Sequence, residues 1–198
     1  MRLLHPRRIW RSFLRKLRNG LFVLRCRFRH VDCRLGKYCR LEGCRVFVRE
    51  SGGRIVIADN CNIRNCTFAF YGEGGSIVVG ESTTINARRD ARTGLCVKDA
   101  TSIRIGERGL ISNSVEIATT DWHRIYDSEG NVLNPDKDVQ IGSHVWCGRK
   151  VTICKGVSIP DHSVIGACSL VTKPFEEPNV VIAGNPAEIK KRGIRWHL

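Results

Sequence analysis

Apolar residues recur every six positions over Ile141 to Lys173: Ile141, Cys147, Ile153, Ile159, Ile165 and Val171. Four places after each of the first five stands a small or β-branched residue: Val145, Val151, Val157, Ser163 and Ser169. Gly142, Gly148 and Gly166 directly follow three of the apolar positions. A period of six fits neither the 3.6 of a helix nor the two of an alternating strand. It fits a short strand plus a corner, repeated, with three units closing a triangular coil. Coils then stack about 4.8 Å apart through backbone hydrogen bonds. No coil buries its own face, so stability comes from the stack. Each inward Ile adds about 1.5–3 kcal/mol when fully buried.

The same phase runs back through Ile117, Ile111 and Ile105. Before that it slips. Leu35, Leu41 and Phe47 fall six apart, then Ile57 and Ile63, then Val79 and Ile85. Gly52-Gly53 and Gly72 to Gly75 mark corners or small insertions between these groups. The N-terminal half therefore reads as more of the same solenoid, with these positions inward. The repeat lapses after Asp121, where a continued count lands on His123, Glu129 and Pro135. It resumes at Ile141, so 122–140 is a loop projecting from the stack, and loops this long are usually functional.

At the start of the chain Ile9, Trp10, Phe13, Leu14 and Leu17 have helical spacing with arginines between them. This predicts a short amphipathic basic helix ending near Asn19 and Gly20. Leu24, Cys26 and Phe28 alternate with Arg25, Arg27 and Arg29, as in an early strand. The expected organisation is a basic segment over 1–22, a β-helix domain over 23–183 and a C-terminal tail over 184–198.

The 198 residues allow one domain with a substantial core. The net charge of +14 points to an anionic partner or surface. Ten basic residues, Arg2 to Arg29, precede any acidic one. No nucleic-acid-binding motif accompanies them, so nucleic acid is not an expected partner. The basic helix either packs on the solenoid or a neighbouring subunit, or lies on an anionic membrane surface. No stretch has the length of a membrane span or the form of a secretory signal. The expectation is a cytoplasmic protein with free thiols, with peripheral contact at the inner face of the cell membrane as an added role. The ten cysteines include no CxxC pair. Cys33, Cys39, Cys61 and Cys147 fall where the repeat takes a small apolar filler; a nucleophilic cysteine is the sharper alternative.

The run HVWCGRKVTICKGVSIPDHSVIGACSLVTK, followed by IAGNPAEIKKR, resembles the C-terminal half of the hexapeptide-repeat acyltransferases. Within them it is most similar to O-acetyltransferases of bacterial capsule, sialic acid and other surface polysaccharides. The resemblance covers roughly Ile103 onward. It implies an all-β fold, a left-handed parallel β-helix, an exception to the usual right-handed crossover. It also implies a homotrimer with acetyl-CoA and a glycan acceptor, anionic or lipid-linked, meeting between adjacent subunits.

Site residues carry over one at a time. His123, in TTDWHRI, matches the histidine that takes the proton from an acceptor hydroxyl, a role suited to a group titrating near neutrality. Trp146 matches an aromatic beside acceptor and pantetheine. Arg149 matches a residue whose backbone amide donates to the thioester oxygen, and Gly148 beside it would let ligand approach the backbone. Ala167, Thr172 and Lys173 match the coenzyme channel, and Lys191 and Arg192 suit its phosphates. Glu188 departs from relatives with a basic residue there. Asn86 and Arg92, in NARRDARTG, are acceptor candidates whose surroundings suit an acidic sugar.

The expected function is acetyl-CoA-dependent O-acetylation of a sugar hydroxyl in a surface polysaccharide or its precursor. N-acetylation of an amino sugar nucleotide is an alternative. A further one is a metal-dependent, carbonic-anhydrase-like or non-catalytic β-helix. His144 and His162, eighteen apart, lie one coil above the other. A metal there needs a third histidine, with His123 the nearby candidate; no metal is expected.

Overall fold

The computed structural model describes residues 6–50 and 52–197, with side chains from residue 12 onward. Isoleucine 9 and Trp10 of the predicted helical stripe lie outside the described side chains. Among the described residues a single helix, Pro6–Phe28, leads into twenty short strands arranged as three sheets. The first sheet holds Val31–Leu35, Gly53–Ile57, Gly75–Val79, Ser102–Ile105, Val139–Ile141 and Ser158–Ile159. The second begins with Arg40–Glu42, Asn62–Arg64, Thr84–Asn86 and Leu110–Ile111, and continues through Trp146–Cys147 and Val164–Ile165 to Val181–Gly184. The third holds Arg45–Val48, Cys66–Tyr71, Thr93–Lys98, Glu116–Ala118, Thr152–Ile153 and Leu170–Val171. The chain visits first, second and third sheet in turn, and all pairings among these strands are parallel. This is the parallel β-helix that the sixfold spacing predicts.

The core is a set of side-chain columns running along the axis. One is Ile57, Val79, Ile105, Ile141 and Ile159; another is Leu41, Ile63, Ile85, Ile111, Cys147, Ile165 and Ile182. All are buried. The second small positions, Val145, Val151, Val157, Ser163 and Ser169, are buried too.

Coil length explains why the N-terminal register slips. Gln140 pairs with Ser158, a coil of 18 residues. Gly53 pairs with Val31 and with Gly75, so the early coils take 22. Their longer strands run to five or six residues and can turn two side chains inward, as in Ile55 with Ile57 and Phe68 with Phe70. Phe47, counted as inward, is therefore outward and 43% exposed. Val46 and Val48 on either side take the inward positions, over Phe68 and Phe70.

The helix also runs further than expected. It passes Asn19 and Gly20 and ends at Phe28, so Leu24, Cys26 and Phe28 are helical and not an early strand. The boundary expected at residue 22 falls inside it. Phe22 and Cys26, one helical turn apart, are buried over the first coil, with Phe22 5.6 Å from Phe68. Asn19 donates to the Cys39 carbonyl and accepts from the Leu41 N–H, 2.8 and 3.1 Å, occupying backbone groups that the end strand would leave unpaired. At the other end the described part of the expected tail, residues 184–197, packs on the solenoid. Ala187–Lys191 pairs antiparallel with Val181–Gly184, and Trp196 is buried. Both ends of the solenoid are thus capped, as such stacks require.

All ten cysteines are free thiols. Cys39, Cys61 and Cys147 are buried fillers as read, and Cys33 is half-buried. Burial pushes the thiols of Cys61 and Cys147 up to about 11 and about 12, away from thiolate chemistry.

Candidate active site

The chain leaves the third sheet at Ala118 and re-enters the first at Val139, and the excursion between carries His123. Its base is braced from a later coil. Lys155 reaches in with its ammonium 2.6 Å from the Asp121 carboxylate and 2.6 Å from the Asn134 carbonyl. The Asn134 amide donates to Asp121 and to the His123 carbonyl, at 3.0 and 2.9 Å, and its oxygen accepts from the Ile125 N–H. The Lys155 hydrogen bond holds the Asp121 carboxyl below its ordinary pKa. Arg124 bridges Asp99 and Asp136 at 3.7 and 3.8 Å. Trp122, in the left-handed backbone region at φ 69°, sets its ring edge-on to Tyr71 at 4.7 Å. Entry and exit of the loop are thereby tied together, and the His123 imidazole stays exposed between them. Sequence reading missed Lys155, Asp121 and Asn134, because their contacts span up to 34 residues and no local pattern marks them.

Trp146 stands on the outer surface of the second sheet, 40% exposed, between Leu110 and Val164. Gly148, Arg149 and Ala167 follow at the corner between second and third sheets. Among the described residues no acceptor takes the Arg149 N–H. Gly148 has a packing reason of its own: an added Cβ would lie 2.7 Å from the Ala167 nitrogen of the next coil. Approach of a ligand is not needed to explain that glycine. Asn86 lies on the same outer surface as Trp146, two coils away. Arg92 is half-buried. Its guanidinium donates through Nε to Thr67 Oγ1 and through Nη2 to the carbonyls of Gly43 and Cys66, so it clamps coils.

Thr172 and Lys173 lie exposed at the corner between third and first sheets, the corner from which the His123 loop also leaves. Lys191 is exposed at the end of the antiparallel strand, and Arg192 pairs with Glu177 at 3.0 Å. A surface pair of this kind is worth little and leaves the charge accessible. In a triangular prism the corner holding His123, Thr172 and Lys173 faces away from the sheet holding Trp146. The candidate residues of one chain therefore divide between two opposite sides of the prism.

His144 and His162 do sit one coil apart, joined Nδ1 to Nδ1 at 3.2 Å. Trp196 stacks on His144 with centroids 4.1 Å apart and donates to its carbonyl at 3.0 Å. His123 leaves from another corner. Among the described residues no group of three or more His, Cys, Asp or Glu side chains is placed to hold a metal ion. Partial burial, then the charges of His162, Arg108 and His197, lower the His144 pKa.

No protein-family model matches the chain. Known proteins do. A polysialic acid O-acetyltransferase of Neisseria meningitidis is 34% identical over 163 residues, 82% of this chain and 73% of that protein. One from Escherichia coli O1:K1 is 40% identical over 126 residues, 63% of this chain but 39% of that longer protein. The solved polysialic acid O-acetyltransferase OatWY superposes with a TM-score of 0.65 at 28% identity, covering 85% of this chain and 88% of its own. Fold and sequence agree: the chain belongs to the hexapeptide-repeat acyltransferases and is built on their left-handed parallel β-helix.

Proposed function

We propose that the protein moves an acetyl group from acetyl-CoA to a hydroxyl of an acidic bacterial surface polysaccharide or its precursor. The observation that carries this reading is His123, an exposed imidazole on a loop whose base is locked by Lys155, Asp121 and Asn134. His123 takes the hydroxyl proton, and the freed oxygen attacks the thioester carbonyl. The Arg149 N–H, without a protein acceptor among the described residues, donates to the oxyanion. Collapse expels the coenzyme A thiolate, which takes the proton back from the imidazolium. The names of the relatives and the net charge of +14 favour an acidic acceptor.

The two half-sites lie on opposite sides of one prism, so a cleft with both His123 and Trp146 needs two copies of the chain. A cyclic trimer, the assembly that the family resemblance implies, supplies three such clefts. Exposed Thr172 and Lys173 would border the coenzyme beside His123, and Lys191 with Arg192 would meet its phosphates.

The test is transfer of labelled acetyl from acetyl-CoA to a panel of neutral, acidic and amino sugars and their polymers. Transfer to an acidic polymer's hydroxyl is expected, and His123→Ala should lower turnover ~10²–10⁴-fold with unchanged melting temperature. Near-normal turnover in that variant removes the role of His123. Transfer to amino sugars alone replaces the reaction with N-acetylation.

A further inference from the structure

The N-terminal helix has two apolar faces, and the solenoid uses one. Asn19, Phe22 and Cys26 fix the inner face to the first coil. On the opposite side Leu17, Leu21, Leu24 and Phe28, spaced four, three and four residues apart, are 49%, 45%, 46% and 76% exposed. At 100° per residue they form one stripe. Exposed Lys16 and Arg27 border it on one side, and exposed Arg25 borders it on the other. Arg18, beside Arg25, reaches Glu42 of the first coil at 3.7 Å. No acidic residue precedes Asp32.

We infer that this outer face docks on an anionic lipid surface, with the solenoid standing on its N-terminal end. A contiguous apolar stripe held in solvent marks an interaction site. The charge pattern selects the occupant. Leucine and Phe along the middle of the face, with cations on both borders and no anion, suit lipid tails flanked by anionic headgroups. A second copy of the helix would set these cations against their own kind. Among the described residues no helix is long and apolar enough to cross a membrane, so the helix lies on the surface. Because the inner face is pinned, this contact fixes the height of the solenoid. The His123 loop leaves after the fourth coil, which places it on the order of 20–25 Å above the lipid, from coil spacing and helix diameter. Docking does not depend on the acyl-transfer reading.

The experiment is co-sedimentation of the full chain with phosphatidylcholine vesicles, with and without roughly a third phosphatidylglycerol, at about 0.1 M and 0.5 M salt. Sedimentation with the anionic vesicles only, weakened at high salt, is expected. Leu17→Glu/Leu24→Glu should lower vesicle affinity ~10-fold or more, and Lys16→Glu/Arg27→Glu should remove the dependence on phosphatidylglycerol. Melting temperature and sedimentation velocity should match the parent in both variants, since none of these four side chains is buried against the solenoid. The inference is overturned by absence of binding to anionic vesicles, or by equal binding of the Leu17→Glu/Leu24→Glu variant. It is also overturned if that variant dissociates a parent oligomer, which would make the stripe an interface between copies.

Discussion

A single lysine decides how well the candidate base is held. Lys155 is mostly buried, and its ammonium bridges the two ends of the His123 loop through Asp121 and Asn134. Lys155→Met leaves Asp121 without its cation and frees the loop. Misplacing a reacting group by about 1 Å costs up to ~10²-fold. The expected outcome is a kcat lowered ~10- to 100-fold with KM for acetyl-CoA little changed, partly restored by Lys155→Arg. A change in KM alone would make Lys155 a binding residue. His144 offers a test by pH. Its folded pKa lies below the ordinary 6.5, so the unfolded chain takes up the proton first as pH falls. Stability is then complete above 6.5 and is lost as pH falls toward the folded value. Thermal melts from pH 7 to 5 should show a declining Tm. The decline should be shallower in His162→Gln, where a neighbouring imidazole charge is gone. Equal slopes in the two proteins would exclude this pair as the source.

The elements differ in how they read from sequence. Two-residue strands of the late coils have one inward side chain each, so a period of six marks every one of them. The longer early strands turn more than one side chain inward, as Ile55 with Ile57 and Phe68 with Phe70, and the six-step count then lands on Phe47, which faces solvent. The helix misled for a related reason. Leu24, Cys26 and Phe28 satisfy an alternating pattern, while Phe22 and Cys26 satisfy a helical one. Only the core beneath Phe22 and Cys26 chooses between them. That choice gives the helix a structural task, closing the hydrophobic end of the first coil. Phe22→Ala should accordingly destabilise the protein by about 3–5 kcal/mol, read from denaturant melts, because it opens a cavity against Phe68. A loss below about 1 kcal/mol would mean the cap is dispensable.

Over the whole molecule, the proposed division of the site between two sides of the prism has a direct consequence. His123→Ala and Trp146→Ala subunits each spoil a different half. Mixed after joint refolding, they should form some clefts with an intact His123 and an intact Trp146. Activity should therefore reappear in the mixture, where each variant alone is nearly inactive. Mixtures no better than their components would place both residues in one subunit's site.

The residues alone determined the coil, its corners, the phase that resumes at Ile141 and the loop that carries His123, because each rests on spacing along the chain. They also supplied the family resemblance and, through it, the residues worth testing. Tertiary structure decided what lies between distant segments. It tied Arg92 to carbonyls of earlier coils, gave Gly148 a packing role, and placed Lys155 under the loop. It also pinned one face of the N-terminal helix and left the other in solvent. A repeat specifies each rung from its own six residues, whereas these contacts join rungs or elements 19 to 49 residues apart and leave no period to read.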